Sequence, residues 1–387
     1  MSKLVVGCLL VMMPVSVLSA DLVLGGYFEP QFTGTYLDNR FRQLNSNKLR
    51  IDLSCELTDN ITFTGNFNYL NYNGQREWNL LDYLPANLVA TVPDSFAWLY
   101  SYTCKDEGEL DNAYVRFYGG RVTLTAGRQQ ISVGSGYAFN PTDIFNRKDL
   151  LDPTYEQPAV NGLRVDIGLM REYIISVFYS PEATWRQSGK MLRLQGGVSH
   201  FDLALLAGQR SERHTDYVTF DVCEQERVML GIDLNGELFG IGCWSENAYN
   251  FVDISTDYRE NLVGVDYTFS SGWYLMAEYY HNSQGKKNSD AYTLNDWMKY
   301  FTTESKTISR DQLYTHTFYP LTDLVTIGAS GVFSISDQSL LLIPTCEYSI
   351  GDDVTLTLFG NIYTGREGTM YSRDLGSGGI VRLRVYF

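Results

Sequence analysis

This chain of 387 residues carries 28 Tyr, 20 Phe and 6 Trp, yet only 19% of it is charged. A formal charge of −15 argues against a nucleic-acid partner, which needs a concentrated basic face. After residue 20 no stretch approaches the ~20 consecutive apolar residues of a membrane-spanning helix, but frequent Gly and scarce Pro suit strands whose two faces see different solvents.

In chain order, Lys3 precedes an apolar stretch, Leu4–Leu18, interrupted by residues such as Pro14. Leu18-Ser19-Ala20 offers a cleavage site before Asp21. A run this short reads as a secretory signal peptide over residues 1–20, not as an anchor. No Cys stands at the cleavage site, which argues against a lipid anchor there. Residues 21–387 are then the expected mature domain. Losing Lys3 from the 30 Lys and Arg leaves 29 against 45 acidic residues, a balance of −16.

The mature part repeats one unit, about ten residues of alternating polarity followed by a turn. In Lys48–Leu57, Leu49, Ile51, Leu53, Cys55 and Leu57 share one parity, and Lys48, Arg50, Asp52, Ser54 and Glu56 share the other. Side chains of a strand point to opposite faces with period two, so one face is apolar and the other ionised. Ile61–Tyr69, Asn112–Tyr118, Val122–Ala126, Leu163–Ile167, Leu192–Val198, Val228–Leu234, Val263–Phe269, Trp273–Tyr280 and Val354–Ile362 read the same way. A soluble sandwich also alternates, but this length would need more than one domain and no linker is visible. Ionised residues in mid-strand, on run after run, fit a wall lining water. The expectation is an all-β fold: one transmembrane antiparallel β-barrel of 18 strands, with 16 as the alternative because 173–180 and 313–319 alternate poorly. Long connections are expected at 33–46, 71–109, 129–160, 181–189, 211–225, 245–258, 283–311, 335–338 and 364–377. An even count places both termini and the short turns on the periplasmic side, and the long loops outside. Tyr267, Phe269 and Trp273 flank one short turn on the apolar face, as in an aromatic girdle.

The last residues, Gly378–Phe387, alternate through Val381, Leu383 and Val385 to a terminal aromatic. This segment resembles the closing strand of Gram-negative outer-membrane porins. The resemblance implies an outer-membrane location, contact with lipid and lipopolysaccharide, and recognition of Phe387 by the barrel-assembly machinery. Gly127-Arg128-Gln129-Gln130, leading to Asn140-Pro141-Thr142-Asp143, resembles a pattern of poorly characterised porin-like families, and Asp337-Gln338-Ser339 is a second, tight-loop segment. Arg128 breaks the parity of its run: either Gly127 begins a bulge or the strand has left the membrane.

A barrel of this size leaves an aqueous channel unless something plugs it. No plug domain precedes the first strand, since Leu22–Phe32 already alternates. Lumen-facing bases are then Lys48, Arg50, Arg116, Arg164, Arg193, Arg382 and Arg384, and acids Glu29, Asp52, Glu56, Asp166, Asp233, Asp266, Glu278 and Glu347. Any one of them can instead brace the wall as half of a salt bridge. The near-neutral wall leaves the acidic surplus in loops, where it concentrates cations by steering. In many porins the third outer loop folds into the lumen; here that loop, 129–160, would bring Asp143, Arg147, Lys148, Asp149, Asp152 and Glu156 to the constriction. By parity Cys55, Cys243 and Cys346 face lipid, which leaves Cys104 and Cys223, in two outer loops, as the sensible disulfide pair.

Catalysis has little to stand on. His200, His214, His281 and His316 sit near no nucleophile elbow, phosphate loop or zinc spacing. No cofactor is expected. The expected function is a porin passing small hydrophilic solutes or ions, with a homo-oligomer as one assembly. The alternative is a surface-binding barrel, an adhesin or receptor whose long loops carry Trp78, Phe96, Trp98 and Trp297.

Overall fold

The structure, a computed structural model, describes residues 22–37, 40–150, 152, 156–170 and 172–387. The expected signal peptide lies outside them. The strands are β1 Leu22–Leu37, β2 Arg40–Thr58, β3 Ile61–Gly74, β4 Glu77–Asn79, β5 Ser101–Thr103, β6 Glu107–Gly119, β7 Val122–Gln129, β8 Val160–Met170, β9 Tyr173–Ser180 and β10 Gly189–Val198. They continue as β11 Phe201–Thr215, β12 Val222–Leu238, β13 Ile241–Val252, β14 Tyr258–Thr268, β15 Tyr274–Asn282, β16 Asp311–Pro320, β17 Val325–Ser334, β18 Ser339–Gly351, β19 Val354–Tyr363 and β20 Ser377–Tyr386. β4 and β5 form a small ribbon inside the second loop; the other strands make one 18-stranded antiparallel sheet.

That sheet closes. β20 pairs with β19 and with β1, through Tyr27↔Tyr386 and Phe28↔Val385, so no row of backbone donors is left at an edge. Phe387 completes the seam by exchanging two backbone hydrogen bonds with Gly26 at 3.1 Å. A Cβ at Gly26 would lie 2.1 Å from the Arg50 carbonyl oxygen and 3.0 Å from the Phe387 ring, so this crossing admits only glycine. The poorly alternating runs 173–180 and 313–319 are strands β9 and β16.

Parity sorts the wall as expected. Outward Phe28, Phe32, Val263, Val265, Leu275 and Ile327 are exposed by 40% or more, whereas inward Glu246, Asn250 and Glu278 are fully buried. A continuous apolar exterior of this kind is stable only against acyl chains.

Three expected loops are largely strand. Leu37↔Arg40 closes the first hairpin, so 33–46 is mostly paired backbone. β11 and β12 run to Thr215↔Val222, and β13 reaches Val252, which shortens the expected loops at 211–225 and 245–258. These polar extensions rise on the long-loop end, where alternation no longer needs an apolar face. Arg128 lies at the end of β7, and the register on both sides of Gly127 is unbroken, so the strand is leaving the wall there without a bulge.

The lumen holds a core the sequence reading did not expect. Inward Trp244, Leu262, Met276, Tyr280, Tyr314, Val332, Leu341, Ile343 and Phe359 of β13–β19 form one apolar cluster with residues from four inserted loops. These are Leu81, Leu84 and Tyr100; Ala138 and Phe139; Tyr292, Leu294, Trp297, Met298 and Ile308; and Met370 and Tyr371. Helix α1, Ala86–Val89, belongs to the first of these loops; helix α2, Leu294–Phe301, belongs to the third and opens with a Thr293/Asp296 capping box. The lumen along β13–β19 is therefore filled by the chain's own loops.

Candidate functional site

The loop 130–159, L3, runs across the lumen, and two rows of charge hold it. On the filled side its backbone donates to buried carboxylates. Glu246 accepts from Gly136 N at 2.5 Å, Thr142 N at 3.0 Å and Thr142 Oγ1 at 2.6 Å. Glu278 accepts from Tyr137 N at 2.5 Å, Ala138 N at 2.7 Å and Trp244 Nε1 at 2.7 Å. Asp233 accepts from Ser135 Oγ at 2.5 Å. Donors to an ionised acceptor make the stronger class of hydrogen bond, and here they offset the burial of the two glutamates. Gly136 fits the site because a Cβ there would lie 1.9 Å from the Phe139 carbonyl oxygen and 2.9 Å from Glu246 Oε1.

On the opposite side L3 supplies the acids. Glu156 accepts from Tyr27 Oη at 2.6 Å, Lys48 Nζ at 2.6 Å and Arg50 Nη1 at 2.9 Å. Asp152 pairs with Arg382 at 2.6 Å. The wall adds its own pairs: Arg50–Asp52 at 2.7 Å, Arg50–Asp111 at 3.1 Å, Arg382–Glu29 at 3.5 Å, Arg384–Glu29 at 2.5 Å and Arg164–Asp166 at 2.9 Å. Burial pushes the Glu156 carboxyl up, but the hydrogen bonds from Lys48 and Tyr27 and the charges of Lys48 and Arg50 outweigh it, so its pKa lies below the usual value. A depressed carboxylate pKa contributes stability above the ordinary carboxylate range and loses it as pH falls through the folded value. L3 should therefore loosen from Lys48 and Arg50 as pH falls below the ordinary carboxylate range. Single-channel recording between pH 3 and 7 should show added flicker at the acid end in the native chain. Glu156→Gln should flicker at neutral pH and lack the acid step; it should also move the reversal potential toward anions at 0.1 M salt and much less at 1 M, where charges are screened within about 3 Å.

The loop 283–310 locks L3 from above. Lys306 Nζ donates to the Asn140 carbonyl oxygen at 2.9 Å and to Glu260 Oε1 at 3.1 Å, and Arg147 Nη2 donates to the Glu304 carbonyl oxygen at 2.6 Å. Asp143 turns the loop, its Oδ1 accepting from Phe145 N at 2.8 Å and Asn146 N at 3.0 Å; burial raises its pKa. Burial likewise depresses Arg147 and Lys306. Lys148 and Asp149 face a cavity of about 1240 Å³ on the long-loop side, shared with Glu182, Arg210 and His214.

The expected lumen residues thus divide. Lys48, Arg50 and Asp52 on β2 and Arg382 and Arg384 on β20 stand on either side of β1, whose Glu29 pairs with both arginines of β20. Arg116, Arg164, Asp166 and Arg193 continue the row, and buried Arg193 Nε has no hydrogen-bond partner among the described residues. Asp233 and Glu278 serve as L3 acceptors. Glu56 and Glu347 lie exposed near the short-turn mouth, and Asp266 accepts from Tyr274 Oη at 2.8 Å. Of the L3 candidates, Asp143 acts inside the loop fold and Arg147 ties L3 to the loop 283–310. Glu246 and Glu260 have no role in the sequence reading; Glu246 falls in 245–258, read there as a loop, whereas the outward parity of Ile241 and Cys243 continues through Tyr249 and Phe251 and turns Glu246 inward.

The expected Cys104–Cys223 disulfide is absent, and both are free thiols. Cys104 is buried in the second loop, its N–H bonded to the Arg76 carbonyl oxygen at 2.8 Å, while Cys223 lies exposed on β12 opposite His214.

Neither a protein-family profile nor a curated protein matches the chain. Solved structures do. OccAB2 of Acinetobacter baumannii superposes with a TM-score of 0.58 at 7% identity, covering 95% of this chain and 98% of that one. The chain has the fold of an outer-membrane porin-type barrel. OccAB1 of the same organism gives 0.58 at 7% identity over 95% and 96%, and OccAB4 gives 0.55 at 10% identity over 94% and 97%. The porin-type barrel of this chain is thus shared at full length with these proteins at identities where only the fold carries over.

Proposed function

We propose that this protein is an outer-membrane channel through which small hydrophilic solutes or ions diffuse passively. The observation that carries the reading is L3: one loop, fixed on two walls, divides a lumen whose other half is filled by apolar side chains. What is left for passage is a corridor along β20, β1, β2, β3, β6, β8 and β10, lined by charged and amide side chains. In this reading the short turns face the periplasm, lipid and lipopolysaccharide surround the apolar wall, and Phe387 is the mark read by the assembly machinery. Assembly into a homo-oligomer belongs to the proposal as well.

Planar-bilayer recording with a salt gradient tests it. An ohmic conductance with a measurable ion preference is expected; a barrel that stays silent would overturn the reading. One observation favours the surface-binding alternative: Phe96 is 52% exposed, and Trp98 69%, on the second loop. Trp297, by contrast, is fully buried in the lumenal core.

A further inference from the structure

Below L3, on the short-turn side, a row of aromatic rings faces the lumen. The Tyr137 ring, carried by L3, stacks on His316 with centroids 5.7 Å apart and planes at 24°, and lies 5.9 Å from Tyr314. His316 is 5.9 Å from Phe318, and Phe318 stacks on Tyr274 at 4.9 Å and 25°. Tyr314, His316 and Phe318 share the inward parity of β16, and Phe318 pairs with Tyr274 across the sheet. The row therefore descends from the loop toward the short-turn mouth in steps of about the width of a six-membered ring.

Packing does not consume these rings. Tyr137 keeps 47% of its surface and Phe318 37%, while Tyr314 beneath is 5% exposed. Exposed rings aligned on the inside of a barrel are surface available to a solute, since the lipid is on the other face. Hydrogen-bonding groups edge the row: the Asp266 carboxylate beside Tyr274 Oη, and Ser330 Oγ, 2.9 Å from His316 Nδ1 and 3.1 Å from Tyr314 Oη. Room for the neighbouring ring is built in at Gly264, where a Cβ would meet Trp244 at 2.2 Å. Across the lumen, eight strands from β16 in the ring of eighteen, β6 carries Arg116 and Tyr118.

We infer that this row is a stacking track for solutes with a flat, weakly polar ring face and hydroxyls at the ring edge, which is the chemistry of a sugar. The inference rests on the channel reading and names a solute class for it. The ring faces take the apolar side of the pyranose, while the Asp266 carboxylate beside Tyr274 meets its hydroxyls. An acyclic polyol of equal carbon number offers the same hydroxyls without the flat face.

The test compares glucose with sorbitol in proteoliposome-swelling assays, alongside potassium chloride conductance. The native protein should pass glucose about threefold faster than sorbitol, as aromatic contacts of this size allow. Phe318→Ala, at the mouth and away from L3, should bring the ratio to one with conductance kept. Tyr137→Ala should also bring the ratio to one, whatever its effect on conductance through L3, and Tyr137→Phe should restore the preference. Equal rates in the native protein, or a ratio untouched by Phe318→Ala, would overturn the track while leaving the channel. A native barrel silent in potassium chloride overturns the channel reading and the track with it.

Discussion

Replacing Glu246 and Glu278 together by Ala should open the constriction and give the largest rise in single-channel conductance of any lumenal change. These two carboxylates accept six hydrogen bonds, four of them from the L3 backbone. Removing them leaves those N–H groups buried and unpaired, each costing about 1–3 kcal/mol. The Gly136–Thr142 stretch of L3 would relieve that cost by leaving the wall for water, held then by Ser135–Asp233, by Lys306 and Arg147, and across the lumen by Lys48, Arg50 and Arg382. The current should become larger and noisier. Glu278→Gln is the control: one acceptor oxygen survives, so its conductance should stay near the native level. An unchanged current in the double alanine variant would show that L3 is held by other contacts.

Trp297→Ala should be the most damaging single change to the inserted loops. Trp297 is fully buried and touches Tyr292 and Phe301, with ring centroids at 6.3 and 5.6 Å. Truncating a buried Trp costs about 3–5 kcal/mol through lost contacts and the cavity left behind. The barrel itself should persist, because its wall is closed by strand pairing and lipid. The loss should fall on the docking of 283–310 and, through Lys306 and Arg147, on L3. Limited proteolysis of the detergent-solubilised protein should then cut at Lys299 or Lys306, which the native chain protects. Trp297→Phe should be tolerated, since the indole N–H has no hydrogen-bond partner among the described residues and the ring contacts remain. Equal protease resistance in the alanine variant would overturn this account.

The strands, their faces and the closure of the barrel were legible because a lipid-facing strand must alternate. Residues such as Leu49, Ile51 and Leu53 can face only acyl chains when Lys48, Arg50 and Asp52 face water. The same reasoning went astray above the bilayer. There the apolar side is no longer required, so β1–β2 and β11–β13 extend through polar sequence that read as loop. The lumenal core left a trace that was open to reading: Leu341 and Ile343 are apolar at inward positions while Leu340 and Leu342 are apolar outward, so a strand with two apolar faces must meet something apolar inside.

The sequence by itself determined which side chains meet lipid and which meet the lumen, because period two is a local property of each strand. It also determined that the chain could close, since apolar rows recur to the last residue. Only the tertiary structure decided what fills the lumen and where L3 lies. Those outcomes depend on pairs such as Gly136 with Glu246 and Tyr27 with Glu156, more than one hundred residues apart in the chain, and no local pattern encodes which acceptor a loop's backbone will find.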